Sequence, residues 1–377
     1  METGKLGNYI ARKSIHGRYQ EPGFVQGFGG TPCTAFTKAC KRDSRSNGVI
    51  SVRIVCLFVL LCVALLLSVY GRAAAHGSDI SAASHQQTAP IAPKVSPEFQ
   101  PEVSQLASAG LKLKEAVEGS LDSSAHHLAA IFQREKPKAP NEAFELRILE
   151  GDGQTAKTIF RRADFFFSFS LMGQPNPLNA TDINGDGLKE IVVQSSSGGN
   201  CWSCNPTEIY QVRNHKGELI GAAPVQRFAD LNADGIQELL VTDARWESYG
   251  DLSHAASPTA VMVYAWRNGK YIYASRDFAA FYTNEVERLR ASAEAARAEI
   301  TAADYSDEMY VGCVLSLALT YAHAGDPDRG LKELETLLSS NWKSAAQSKI
   351  RATIIEDFRN GDSAKKFRAM KNGDPLM

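Results

Sequence analysis

Asp182-Ile-Asn-Gly-Asp-Gly-Leu-Lys-Glu190-Ile-Val-Val193 is the stretch on which the reading of this chain turns. The pattern returns 48 residues later as Asp230-Leu-Asn-Ala-Asp-Gly-Ile-Gln-Glu238-Leu-Leu-Val241. Both copies read D-x-N-x-D-G-x-x-E and run into apolar β-formers, and two independent copies make chance a poor explanation. Positions 1, 3 and 5 place short oxygen-bearing side chains inside a tight coil. The glycine at position 6 permits the sharp turn, position 7 can offer a carbonyl, and the glutamate at position 9 closes the cage. This is the donor set of a hard cation such as calcium, which takes about six to eight oxygens at about 2.3–2.6 Å. The expected ligands are Asp182, Asn184, Asp186, the Leu188 carbonyl and Glu190, then Asp230, Asn232, Asp234, the Ile236 carbonyl and Glu238. An EF-hand would need its bidentate glutamate at position 12 and a helix on each side. Position 12 is Val193 in one copy and Val241 in the other, ahead of a strand, so that reading fails. All donors come from one short loop with no base beside it, which points to a structural rather than a catalytic ion.

These two segments, Asp182–Gln194 and Asp230–Thr242, resemble the FG-GAP or VCBS type of repeat, in which a calcium loop leads into a strand of a propeller blade. The resemblance implies calcium as the structural cofactor and the residues above as its ligands. It departs from the family pattern in carrying Glu where Asp is commoner at position 9. Two copies fall short of the roughly four blades that a closed propeller needs, so the expectation is an abbreviated, propeller-like antiparallel β-domain.

The surrounding sequence supports a sheet. From Phe144 to Ser275 short β-forming runs alternate with Asn/Gly/Asp turns: Phe144–Leu149, Lys157–Arg161, Phe165–Leu171, Glu208–Arg213, Ala260–Ala265 and Tyr271–Ser275, besides the two strands after the loops. Asn268-Gly269 between the last two is a strong hairpin signal. Val103–Gln133 carries an apolar stripe of Leu106, Leu111, Leu113, Ala116 and Val117 that predicts helix, with Asp122-Ser123-Ser124 capping a second stretch through His126 and His127. After Phe281 the pattern turns helical: Asn284–Ala303, Tyr310–Ala322, Leu331–Leu338 and Ser344–Phe358. Tyr305–Leu338 resembles one tetratricopeptide-type hairpin, with Ala318, Tyr321, Gly325, Gly330 and Leu334 where small and large residues interlock. A lone unit of that kind cannot bury its own face, so it must pack on the β-domain, on the preceding helix or on a partner.

The expected fold class is therefore α+β. Residues 1–48 read as a disordered cytoplasmic extension or an over-extended gene start, 49–75 as signal peptide or membrane anchor, and 76–101 as a Pro/Ala/Ser-rich linker. Residues 102–135 read as a helical segment, 143–281 as the calcium-loop β-domain, 284–360 as a helical domain and 361–377 as a tail.

Of seven cysteines, Cys201 and Cys204 sit in Ser195–Cys204, SSSGGNCWSC, one strand length beyond the first loop and so at the opposite end from its ion. A structural disulfide, a redox dithiol and a zinc site are the readings open to this pair. The disulfide is favoured, because a redox dithiol wants a helix N-terminus and zinc wants two further ligands.

Export rests on Ile54–Val69, sixteen apolar residues preceded by Lys38, Lys41, Arg42, Arg45 and Arg53 and followed by Arg72 and a small-residue Ala73-Ala74-Ala75 site. The polarity of those charges sends everything after residue 72 out of the cytoplasm. Residues 1–75 hold ten Lys/Arg against three Asp/Glu, and the remainder holds 31 against 39. An acidic outer part suits divalent cations and argues against a nucleic-acid partner. The expectation is a periplasmic, secreted or inner-membrane-anchored protein that touches membrane only through residues 54–69 and binds an envelope protein or polymer. The alternative is an extracytoplasmic enzyme using the Cys201/Cys204 loop for thiol chemistry or an unrecognised hydrolytic site.

Overall fold

A computed structural model describes residues 93–171, 173–250, 252–302, 307–339, 345–369, 373 and 376. The expectations for residues 1–48, the apolar run at 54–69 and most of the linker fall outside them. Among the described residues no helix is long and apolar enough to cross a membrane.

The fold is α+β: the described residues form six helices and three four-stranded antiparallel sheets. Each sheet is a meander of four consecutive strands. Sheet 1 comprises β1 (Leu111–Gly119), β2 (His126–Arg134), β3 (Phe144–Gly151) and β4 (Ala156–Asp164). Sheet 2 comprises β5 (Phe166–Ser168), β6 (Glu190–Ser196), β7 (Thr207–Arg213) and β8 (Lys216–Ala223). Sheet 3 comprises β9 (Val225–Ala229), β10 (Glu238–Thr242), β11 (Val261–Arg267) and β12 (Lys270–Tyr273).

The alternation of side chains along each strand shows how the sheets are layered. Ala129 and Ile131 of β2 share a core with Ile191 and Val193 of β6, which fixes the face between sheets 1 and 2. Val192 of β6 and Ile209 of β7 point the other way, onto Leu239 and Val241 of β10 and Tyr271 of β12. Leu240 and Val263 then face Phe278 and Tyr282 beyond sheet 3. The central strands are covered on both faces and therefore read as continuous apolar runs rather than as polar–apolar alternation.

Helices close both ends of this layering. α1 (Gln100–Ser108), opened by Pro101 and stopped before Gly110 at φ +81, lays Leu106 with the buried Phe99 on the outer face of sheet 1. α2 (Ala279–Ala302) leaves sheet 3 through Tyr282, whose hydroxyl donates to the Val261 carbonyl at 2.8 Å. α3 (Glu308–His323) and α4 (Pro327–Leu338) form the expected hairpin, followed by α5 (Ala345–Asn360) and α6 (Asp362–Arg368). The hairpin packs internally: Leu315 and Leu319 of α3 share a core with Leu334, Phe358 and Trp246.

Three expectations are corrected. Residues 102–135 are not a helical segment: helix stops at Ser108, and β1 and β2 follow. The stripe Leu111, Leu113, Ala116, Val117 fits a helix, yet Leu128, Ala130 and Phe132 of β2 bury Leu111 as a strand partner, so tertiary pairing overrides the local pattern. The β-domain accordingly begins at Leu111 rather than at residue 143. The linker ends early, because the N–H and hydroxyl of Ser96 donate to Glu118 at 2.7 and 2.6 Å. Nor is 361–377 a loose tail: Phe367 of α6 is buried, and the Gly373 and Leu376 N–H groups donate to the carbonyls of Tyr273 and Tyr271, extending the open edge of β12.

Candidate metal centre

Both acidic loops are built alike, from their own carboxylates. At position 1, Asp182 accepts from the Gly185 and Gly187 N–H groups at 2.7 and 2.9 Å, and Asp230 from Asp234 and Gly235 at 3.1 and 2.9 Å. Position 3 accepts from the position 5 N–H, Asn184 from Asp186 at 3.0 Å and Asn232 from Asp234 at 3.3 Å. Position 5 accepts from position 7, Asp186 from Leu188 at 3.0 Å and Asp234 from Ile236 at 2.8 Å. Position 9, the first residue of the next strand, accepts from the N–H of position 2: Glu190 from Ile183 at 2.9 Å, Glu238 from Leu231 at 2.8 Å. Positions 4 and 6 lie at positive φ in both, Gly185 (73) and Gly187 (86), Ala233 (60) and Gly235 (86). Glycine adopts that conformation freely, whereas Ala233 does so at a cost.

The loops differ in what their carboxylates do together. In the first, Asp182, Asp186 and Glu190 bring one oxygen each within 4.8 Å of one another, a group that could hold a metal ion. Among the described residues it is the acidic group of that kind; Asp230, Asp234 and Glu238 do not form a second. Burial pushes the Glu190 carboxyl up to about 7, and the charges of Asp186 and Asp182 add to this against the hydrogen bonds from Ile183 and Gln211. Glu238 is also raised by burial. Donors from β7 surround the first cluster. The Gln211 amide nitrogen donates to Asp186 at 3.0 and 2.9 Å and to Glu190 at 2.8 Å, and the Arg213 guanidinium donates to Asp186 at 3.1 Å. The buried Asn184 amide donates to Glu190 at 3.1 Å. The oxygen-only donor set fits a hard cation; the identity of that cation is not fixed by it.

A third copy of the loop lies between β1 and β2, where helix was expected. Leu121 occupies position 2, Asp122 position 3 and Ser124 position 5, whose N–H donates to Asp122 at 2.9 Å. Position 9 is His127, whose Nδ1 accepts from the Leu121 N–H at 3.3 Å, as Glu190 and Glu238 accept in the other copies. The three loops are chained by one repeated backbone bond. The Lys189 N–H donates to the Leu121 carbonyl and the Gln237 N–H to the Ile183 carbonyl, both at 2.8 Å. Asp122 and Ser124 with an apolar run behind them were the sequence signal, but Ser120 stands where the first aspartate belongs and the loop is one residue shorter.

No protein-family model and no curated protein matches this chain.

At the far end of β6, Cys201 and Cys204 form a disulfide with their Cα atoms 5.0 Å apart. The loop so closed rests on the segment after β10: the Trp202 N–H donates to both Glu247 oxygens at 3.0 Å, and His254 pairs with Glu247 at 2.8 Å. Sequence reading also left unseen a buried cluster behind sheet 3. Asp243 accepts from the Arg245 guanidinium at 2.7 and 2.6 Å and from the Trp246 indole at 3.0 Å, and lies 3.3 Å from His323 of α3, which bonds the Tyr273 hydroxyl at 2.8 Å. Against its burial, the His323 and Arg245 bonds hold the Asp243 carboxyl far below the usual range. Shallow grooves lie along α4, along α5 and beside Ser96.

Proposed function

We propose that this is an exported envelope binding protein whose outer part is a calcium-stabilised, abbreviated propeller-like β-domain with a helical domain behind it. The observation that carries the reading is the gathering of Asp182, Asp186 and the buried Glu190 into one oxygen cluster at the head of β6. Three successive four-stranded meanders, each with a loop of one design ahead of its second strand, support the likeness to FG-GAP or VCBS repeats, with calcium as cofactor. The first loop is the principal site, and the second, more exposed and less gathered, the weaker one. Export rests on the charge-flanked apolar run at 54–69 and on the acidic outer part. Closure of Cys201 and Cys204 into a disulfide supports a binding protein over a thiol enzyme. The partner is an envelope protein or polymer.

The test is a thermal melt of the purified full chain in calcium and in EDTA. Calcium must raise the midpoint, and Asp182→Asn must remove most of that rise. Equal midpoints in the two buffers end the calcium reading. A pull-down from envelope extract, with and without calcium, then seeks the partner.

A further inference from the structure

The Tyr271 hydroxyl has no hydrogen-bond partner although the residue is only 1% exposed. A buried hydroxyl left unpaired is costly, so its persistence asks what it faces. Tyr271 belongs to β12 of sheet 3, and its ring lies in the same core as Ile183 of the first loop and Val192 of the strand behind it. Glu190 and Gln211 project to this face of sheet 2, being in step with Val192 and Ile209 along their strands. Burial drives the phenol far above its ordinary range, and the next influence on it is the charge of Glu190, followed by Glu238, Asp186 and Asp182. Tyr271 thus brings an unpaired donor of sheet 3 into the core that borders the first loop and its strand in sheet 2.

The loop alone is short of donors. Asn184 spends both ends of its amide on Asp186 and Glu190, and one Glu190 oxygen is taken by the Ile183 N–H. Calcium needs about six to eight oxygens and commonly completes them with water, and a bound water wants further hydrogen-bond partners.

We propose that the ion of the first loop carries a water whose second contact is the Tyr271 hydroxyl, so that the site spans two sheets and calcium ties sheet 3 to sheet 2. This rests on the calcium reading above. The glutamate of the second loop lies on the other face of sheet 3, in step with Leu240. The first loop is therefore the tighter of the two, and Tyr271 is a positioning residue for its ion.

The experiment is calcium titration calorimetry and melting of the full chain with wild type, Tyr271→Phe, Asp182→Asn and Asp230→Asn. Tyr271→Phe should weaken the tighter site five- to tenfold and shrink the calcium-induced rise in midpoint, while in EDTA it melts at or above wild type because it removes an unpaired group. In wild type, calcium should give a tyrosine ultraviolet difference spectrum that Asp182→Asn abolishes and Asp230→Asn keeps; this readout stands even if the phenylalanine variant folds poorly. No calcium binding by wild type overturns the calcium reading itself. Wild-type binding with unchanged affinity in Tyr271→Phe, an equal loss of midpoint in both buffers, or no tyrosine signal overturns the bridge alone.

Discussion

Glu190 has two duties in one carboxylate: one oxygen ties the loop shut on the Ile183 N–H, and the other faces Asp186, Gln211 and the Asn184 amide. Glu190→Gln keeps the first duty and removes a charge that burial and two aspartates already disfavour. Its new amide nitrogen faces the Asn184 and Gln211 donors, so the variant should melt somewhat below wild type in EDTA, and it should lose in addition the stabilisation proposed for calcium, about 2.7 kcal/mol at an ion concentration 100 times the dissociation constant. Calcium-dependent melting reads both, and a variant weakened equally in either buffer sinks the argument. His127, the residue at the same place in the third copy, shows the opposite economy. It is neutral and fully buried, and burial lowers its pKa against the pull of Asp122 and Glu150. Its unfolded value is about 6.5, so below that pH the unfolded chain takes up a proton that the folded chain refuses. Its share of stability is complete above about pH 6.5 and declines as pH falls towards the folded value. His127→Gln retains an acceptor for the Leu121 N–H and should flatten that slope in denaturant melts between pH 5 and 7; an unchanged slope would assign it to another group.

At the scale of the element, α3 is held by close approach. A Cβ on Gly312 would run into the carbonyl oxygen of Ala256, and one on Gly330 of α4 would lie 2.5 Å from the Ala318 carbonyl oxygen. Gly312→Ala must therefore push α3 off the 254–256 turn, and overpacking of this kind costs about 1–3 kcal/mol. Urea unfolding checks this; an unchanged midpoint would show that the helix slides freely. How much of these elements could be read in the sequence follows from how local their causes are. The two acidic loops were legible because position 6 glycine, ligand spacing and following strand all lie within thirteen residues. The Asn268-Gly269 hairpin was legible for the same reason, and both residues do sit at positive φ, 52 and 77. The β7–β8 turn uses the same conformation at Asn214 and His215, φ 52 and 60, but carries no glycine, and β8 went unread. β1 and β2 were misread because an apolar stripe fits either period, and only their pairing with each other and with β3 decides it. The Tyr271 hydroxyl and the Asp243–His323 pair were illegible, since sheet layering brings them to their neighbours.

Across the whole molecule, the question is whether helices and sheets melt together. Polar and close-packed ties join sheet 3 and its loops to the helices. Asp243 meets His323, the Tyr282 hydroxyl meets the Val261 carbonyl, Tyr249 donates to Asp357 of α5 at 2.7 Å, and Trp246 stacks on Phe358 with ring centroids 5.2 Å apart. Inter-sheet cores continue the same connection from sheet 3 to sheet 1. A calcium ion at the first loop should therefore be felt by α3–α6. Far-ultraviolet circular dichroism, weighted to helix, and aromatic fluorescence should give one coincident transition that calcium moves as a whole; two transitions, only one of them calcium-sensitive, would separate the domains. Asp243→Ala tests the tie directly, because it leaves the buried Trp246 indole and His323 without their acceptor while the half-exposed Arg245 turns to solvent, a loss of about 1–3 kcal/mol. The wild-type carboxyl is depressed below its unfolded value of about 3.9. Its contribution is therefore present above that pH and lost as pH falls below it. The variant's deficit should be full at neutral pH and narrow in acid, and a deficit that stays constant down to pH 2 would mean that packing, not the charge, joins the two halves.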